Sequence, residues 1–218
     1  FGIATGRRID TAMALMKKYE IPQPDVLISG LGTRIHYGQG LIEDDYWADH
    51  IDHHWSPQLA SRVLADLPGL TRQPKVDQSA FKLSYYCDPA QAPTIEEIIS
   101  LLRQKEVTAN VFFAFGQFLD IVPSRASKGQ ALRYVAQRFE SPLEHVLVAG
   151  GSGADEDMMR GNTLAVVVSN RHNEELEQLE DMENVYFASR PHAGGILEAI
   201  DYYDFFGACA PPQEGEPA

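Results

Sequence analysis

Short apolar runs that end on a glycine recur along this chain, and they limit its fold more than any other feature. FGIATG (1–6), DVLISG (25–30) and HVLVAG (145–150) all read this way. After the first run, Ile9, Ala12, Met13, Met16 and Tyr19 fall at helical spacing, and Pro22 and Pro24 end that helix. TRIHYG, just after Gly32, reads as a further strand. Leu132, Val135, Ala136 and Phe139 repeat the helical spacing within SKGQALRYVAQRF. LAVVVS and VYFAS add two more strands, with a short polar helix between them, before a helix through Ile196, Leu197 and Ile200. Strands alternating with helices build a parallel, doubly wound sheet, so the fold class is α/β.

From about Leu41 the texture changes. Leu59, Val63 and Leu67 mark a helix ended by Pro68 and Gly69. In FKLSYYC (81–87), Phe81, Leu83, Tyr85 and Cys87 share one face, and Lys82, Ser84 and Tyr86 share the other. That alternation suits a strand in a sheet covered on one side. Ile95, Ile98, Ile99 and Leu102 form a helical stripe, and VFFAF and FLDIV read as strands separated by Gly116. The predicted layout is an interrupted core, residues 1–40 plus 118–206, with an inserted α+β module over 41–117. The tail from Gly207, GACAPPQEGEPA, is too poor in apolar residues to pack and is expected to be mobile.

The chain has 218 residues, 44% of them hydrophobic, enough to bury a sizeable core. Its formal net charge is -13. So acidic a chain repels a nucleic-acid backbone and an anionic membrane surface, so neither is an expected partner. A phosphorylated small molecule stays compatible, because a local cationic pocket overrides the global field. No apolar run approaches the length of a membrane span, no basic-then-apolar start is present, and a cytoplasmic location is expected. Cys87 lies in an apolar run and Cys209 in the tail, which suits two idle thiols better than a disulfide.

Four segments carry candidate chemistry. Thr5, Gly6 and Arg7 sit where the first strand meets the first helix, at the strand end where ligands bind in such sheets. A Thr hydroxyl and free N–H groups there can hold a phosphoryl oxygen, although Thr5 equally suits a plain helix cap. Ser127, Lys128 and Gly129 open a helix, where a cation is disfavoured unless an anion lies near. The commoner alternative is a solvated surface Lys. GGSGADED (150–157) joins a strand to a helix. As a dinucleotide loop it wants a glycine near Glu156 and carries three repelling acids. Those acids suit a divalent cation, or simply a helix N-terminus. DHIDHHW (49–55) puts His50 and His54 at i,i+4 spacing without an obvious third metal ligand, and a solvated surface is the simpler reading. Trp47 and Trp55 suit either sugar stacking or core packing.

Taken in order, TGR near the start, KG before a helix, and a strand running into G-x-S-G-x-D resemble the second, third and fourth motifs of the haloacid dehalogenase-like (HAD) phosphohydrolases. The middle module lies where that superfamily inserts its larger cap. FGIATGRR, GLGTRIHYG, FKLSYYCD, DIVPSRASKGQAL and VLVAGGSGADEDMMRGN carry a narrower likeness to the sucrose-6-phosphate phosphatase family. Within that family it is to the phosphatase-like C-terminal domain of bacterial sucrose-phosphate synthases. The likeness covers about residues 1–206.

The resemblance implies an HAD-like doubly wound sheet with an α+β cap, and a reaction in which one aspartate attacks phosphorus while another protonates the leaving group. It implies that Thr5 and Lys128 contact the phosphoryl group as catalytic residues. Gly6, Arg7, Ser152 and the cap residues Lys82, Tyr85 and Tyr86 would bind substrate, and Asp155 would hold Mg²⁺. It further implies a sugar phosphate such as sucrose-6-phosphate as ligand and a glycosyltransferase domain of the same polypeptide as partner. Two departures accompany it. The D-x-D-x-T motif belongs before TGR, where only four residues stand, so the chain is expected to be a fragment lacking the first strand and the nucleophile. It is therefore also expected to be soluble and monomeric only with upstream residues added. In the fourth motif Gly151 stands at the metal-binding Asp position and Ala154 at the Asn position.

Overall fold

The computed structural model describes residues 1–172 and 176–208 and resolves into two compact units, residues 1–134 and 135–218. The first unit starts with β1 (Gly2–Ala4), which pairs in parallel with β2 (Val26–Ser29). Between them lies α1 (Ile9–Lys18), burying Ala12 and Met16, with Asp10 in its first turn and Lys17 and Lys18 in its last. That charge order suits the helix dipole. β3 (Arg34–Tyr37) and β4 (Ile42–Glu43) extend the sheet antiparallel, in the order β1-β2-β3-β4. All four residues of β2 are buried, as a central strand requires. Asp44 then caps the short helix α2 (Asp45–Ile51) by accepting from the Trp47 amide.

In the insert two helices pack on one face of a single sheet. α3 (Pro57–Leu64) begins on a proline, favourable at a first helical turn. α4 (Ile95–Gln104) starts from a reciprocal Thr94–Glu97 capping box. β5 (Leu70–Arg72), β6 (Leu83–Cys87), β7 (Ala109–Ala114) and β8 (Phe118–Pro123) form an antiparallel sheet in the order β5-β6-β8-β7. Ala60 and Leu64 of α3, Ile98 and Leu102 of α4, and Leu83, Tyr85, Leu119 and Ile121 of the sheet make its core. The alternation in FKLSYYC thus holds, with Leu83 and Tyr85 facing inward.

The boundary read at 117/118 falls inside this sheet. β8 pairs with β7 over six residues and with β6 over four, so residues 118–123 belong to the insert rather than to the core. FLDIV reads like a core strand because four of its five residues are apolar.

α5 (Lys128–Arg138) closes the first unit and runs into the second. The second unit contains β9 (Leu147–Gly150), α6 (Glu156–Met159), β10 (Leu164–Val167), β11 (Val185–Phe187), α7 (His192–Tyr202) and α8 (Phe205–Ala208). Its three strands are parallel, in the order β11-β10-β9, with Val166, Ala188 and Ala199 at the centre of a small core. The doubly wound sheet is therefore present as two separate sheets. Among the described residues β1 pairs only with β2 and β9 only with β10, so each sheet ends on a strand with one open edge. The short polar helix read after LAVVVS lies partly outside the described residues. So does the tail read as mobile, of which Gly207 and Ala208 are the described part. Among the described residues no helix is long and apolar enough to cross a membrane.

Candidate functional site

In the first unit, the TGR segment and the start of α5 meet through one glycine loop. Thr5 donates its amide to the Ile28 carbonyl and accepts the Leu31 amide, while the Gly30 amide reaches the Arg7 carbonyl. These three bonds lash residues 5–7 to Gly30–Gly32 at the end of β2. Gly32 has φ +85°, and a Cβ there would stand 2.0 Å from the Ser127 carbonyl oxygen and 2.8 Å from the Lys128 nitrogen. Only a glycine allows this approach. Thr5, Gly6, Arg7, Ser127 and Lys128 thus converge at one end of the unit, as parallel strand ends and a helix start should. The Thr5 hydroxyl accepts the Arg7 amide at 3.1 Å, and the Ser127 hydroxyl accepts the Gln130 amide at 3.0 Å and caps α5. Lys128, at the first position of α5, is only 6% exposed, so the surface-Lys alternative does not describe it.

Arg8 follows this segment, and its guanidinium donates to the Val76 carbonyl at 2.6 Å, joining the α1 start to the insert's loop. On the sheet face opposite the insert's core, Lys82, 7% exposed, donates to Asp120 at 3.0 Å and to the buried Ser84 hydroxyl at 2.6 Å. Ser84 in turn donates to Asp120 at 2.5 Å. Tyr86 is 46% exposed and its ring lies 6.1 Å from that of Phe118, giving this face an aromatic end beside a polar one. Tyr85 departs from the expectation of a sugar contact. It is 3% exposed, sits in the insert's core on the opposite face, and its hydroxyl has no hydrogen-bond partner. A period-two strand cannot present neighbouring residues to one face.

The G-x-S-G-x-D loop occupies the second unit. Asp155 is 8% exposed, and its Oδ2 accepts from the Gly151 amide, the Ser152 amide and the Ser152 hydroxyl, each at 3.0 Å. The carboxylate thus folds back onto its own loop. A Cβ on Gly150 would lie 2.5 Å from that of Asp155, so the loop closes tightly around it. Asp155 offers Mg²⁺ its other carboxylate oxygen at most, because Oδ2 already carries three hydrogen bonds, whereas the ion commonly takes one or two carboxylates together with further oxygen donors. Among the described residues no group of three His, Cys, Asp or Glu side chains is placed to hold a metal.

Other candidate segments resolve into structure. α2 ends at Ile51 and His54 has φ +58°, so His50 and His54 do not share a helical face. Trp47 is core, 2% exposed, and the Trp55 indole is tied to the Ala80 carbonyl at 2.7 Å. Cys87 is a free thiol that burial pushes up in pKa, and Cys209 lies outside the described residues. A shallow groove of about 500 Å³ lined by Leu67, Pro93, Ile98 and Leu101 holds none of the candidate residues. Sequence reasoning missed Asp120, the partner of Lys82. Its signal was a single acid inside the apolar run FLDIV.

Parallel strands carrying these motifs, with a four-stranded antiparallel insert, define the fold of the haloacid dehalogenase-like hydrolases. A model of the sucrose-6F-phosphate phosphohydrolase family matches residues 1–204, and the chain belongs to that family. It is 30% identical over 210 residues to probable sucrose-phosphatase 1 of Arabidopsis thaliana, covering 92% of this chain and 49% of that protein. The chain thus spans about half the length of that curated relative. The solved sucrose-phosphatase of Synechocystis sp., in complex with sucrose and phosphate, superposes with a TM-score of 0.88 at 30% identity. That match covers 93% of this chain and 84% of the other. A glucosylglycerol-phosphate synthase of Pseudomonas anguilliseptica is 28% identical over 216 residues, 97% of this chain but 27% of that protein.

Proposed function

We propose that this chain is a sugar-phosphate-binding domain of the sucrose-phosphatase fold, without phosphatase activity of its own, serving a binding or regulatory role in sucrose biosynthesis. Its ligand is a sugar phosphate such as sucrose-6-phosphate. Thr5, Gly6, Arg7 and the cationic Lys128 receive the phosphoryl group, and Lys82 and Tyr86 meet the sugar from the insert's polar face. A glycosyltransferase domain of the same polypeptide is its partner, in a cytoplasmic setting. The match to one quarter of a longer phosphate-ester synthase favours that arrangement.

One observation carries the reading: Asp155 is committed to closing its own loop, and glycine occupies position 151. A loop built this way spends one oxygen of its aspartate on itself and offers a cation no second carboxylate from position 151. The test is phosphate release from sucrose-6-phosphate by the full-length protein, with Mg²⁺ and with chelator. Release at the background rate in both is expected, and release abolished by chelation overturns the reading.

The second reading is an Mg²⁺-dependent sucrose-6-phosphate phosphatase acting through an aspartyl-phosphate. It is favoured by the 30% identity to a sucrose-phosphatase that holds sucrose and phosphate. It requires a nucleophilic aspartate and further cation ligands beyond the residues described above.

A further inference from the structure

Trp47 and Asp44 belong to no phosphohydrolase motif, yet they hold both sides of the junction at which Lys128 is presented. Asp44 is 5% exposed and caps α2 by accepting the Trp47 amide at 3.0 Å. The same carboxylate accepts the Tyr37 hydroxyl at 3.0 Å and the Tyr134 hydroxyl at 3.1 Å. Tyr134 lies on α5, six residues beyond Lys128, so this bond grips the helix that carries the lysine. Trp47 donates its indole N–H to the Gly32 carbonyl at 2.8 Å, and its ring lies 5.0 Å from that of Tyr134. Gly32 is the residue whose backbone abuts the Ser127–Lys128 peptide.

We propose that Trp47 and Asp44 are positioning residues: a brace that fixes the distance between the Gly32 loop and the α5 start, and so aims the Lys128 ammonium at a bound phosphoryl group. A buried donor matched to one carbonyl suits this role, because losing it leaves that carbonyl unsatisfied and the loop free to shift. A shift of about 1 Å is enough to spoil a charge-assisted contact. The inference rests on the reading that Lys128 binds the phosphoryl group, and the experiment separates the two.

Sucrose-6-phosphate is titrated into the full-length protein as wild type, Lys128→Ala, Trp47→Phe and the double variant, with melting temperature recorded for each. Trp47→Phe keeps an aromatic ring but removes the indole N–H and part of the ring volume, so its melting temperature is read beside the affinity. It is expected to weaken binding about tenfold in the wild-type background and to have little further effect once Lys128 is gone. Weaker binding in Lys128→Ala with none in Trp47→Phe overturns the brace and leaves the phosphate site standing. An equal loss from Trp47→Phe in both backgrounds also overturns it, because the tryptophan then acts independently of the lysine. Unchanged affinity in Lys128→Ala overturns both. Should Trp47→Phe fold poorly, Tyr134→Phe carries the test. It removes one hydroxyl from Asp44, about threefold weaker binding is expected, and no change overturns the brace.

Discussion

Two loops at the carboxyl ends of parallel strands treat their polar groups in opposite ways. The loop after β1 is tied to the end of β2 through backbone amides and carbonyls, and the Thr5 hydroxyl accepts one bond from the Arg7 amide. The loop after β9 binds itself through a side chain, with Asp155 gathering three donors. The first arrangement spends mostly backbone groups; the second spends one oxygen of the side chain that an ion would need. Motif letters alone cannot tell these cases apart, because Asp155 is present in both a cation-binding loop and a self-closing one.

The largest effects are expected from breaking each loop at its closest contact. Asp155→Ala orphans the Gly151 and Ser152 amides and the Ser152 hydroxyl, and a loss of about 2–4 kcal/mol is expected in urea denaturation. Asp155→Asn keeps one acceptor oxygen and should lose about half as much. If Asp155 chiefly served a cation, both variants would change stability little without metal. Gly32→Ala attacks the other loop, because a Cβ 2.0 Å from the Ser127 carbonyl oxygen forces the junction apart at a backbone φ of +85°. A loss of about 2–4 kcal/mol is expected there too. Its distinguishing mark is that sugar-phosphate binding falls with it, whereas Asp155→Ala leaves binding per folded molecule unchanged.

Binding rather than stability should report the first loop's side chains. Lys128→Ala is expected to weaken sucrose-6-phosphate about 10- to 100-fold, the range of a lost charge-assisted contact. Isothermal titration reads this directly. A smaller effect should follow from putting a carboxylate back into the second loop. A Cβ at Gly151 would stand 3.2 Å from a Val168 methyl and 3.4 Å from the Arg171 Cα, so a side chain fits if the neighbours yield slightly. Gly151→Asp is therefore expected to fold and to gain a melting-temperature rise of a few degrees in millimolar Mg²⁺ that the parent lacks. Equal Mg²⁺ responses in both proteins would mean that position 151 is not what separates this loop from a cation site.

How much of this was readable beforehand follows from the range of each interaction. The alternating elements were legible because periodicity is local: Ala12 and Met16 of α1, or Leu83 and Tyr85 of β6, face inward as their spacing requires. The junction of residues 5–7 with Lys128 was legible only as two motifs, since nothing local announces that Gly32 separates them by one atom's width. Residues 118–123 were misplaced for the same reason. An apolar strand reads alike in a core sheet and in a sheet covered by helices, and only pairing with β6 and β7 assigns it. Tyr85 faces the insert's core, as its own alternation requires, and not the side of Lys82 and Tyr86 on which the resemblance would need it. The direction of the Asp155 carboxylate was not legible at all, because a rotation about one bond decides it.

Glu198 on α7 gives the smallest effect and a second view of how the second unit uses carboxylates. Partial burial by itself would raise its pKa. The Ser189 amide, the Tyr186 hydroxyl and the Arg190 amide outweigh this and hold it at about 2, below the ordinary 4.5 of a glutamate. A folded-state pKa below the unfolded one means that the ionised form favours folding. The contribution is present above about pH 4.5 and is lost as the pH falls toward 2. Glu198→Gln should therefore flatten the acid limb of the stability curve while changing little at neutral pH beyond the lost acceptor strength. The midpoint of urea unfolding between pH 2.5 and 7 reads this out. If the acid limb were unchanged in Glu198→Gln, the backbone amides around Ser189 would not be holding the charge. The picture of a second unit whose carboxylates serve its own loops would then rest on Asp155 alone.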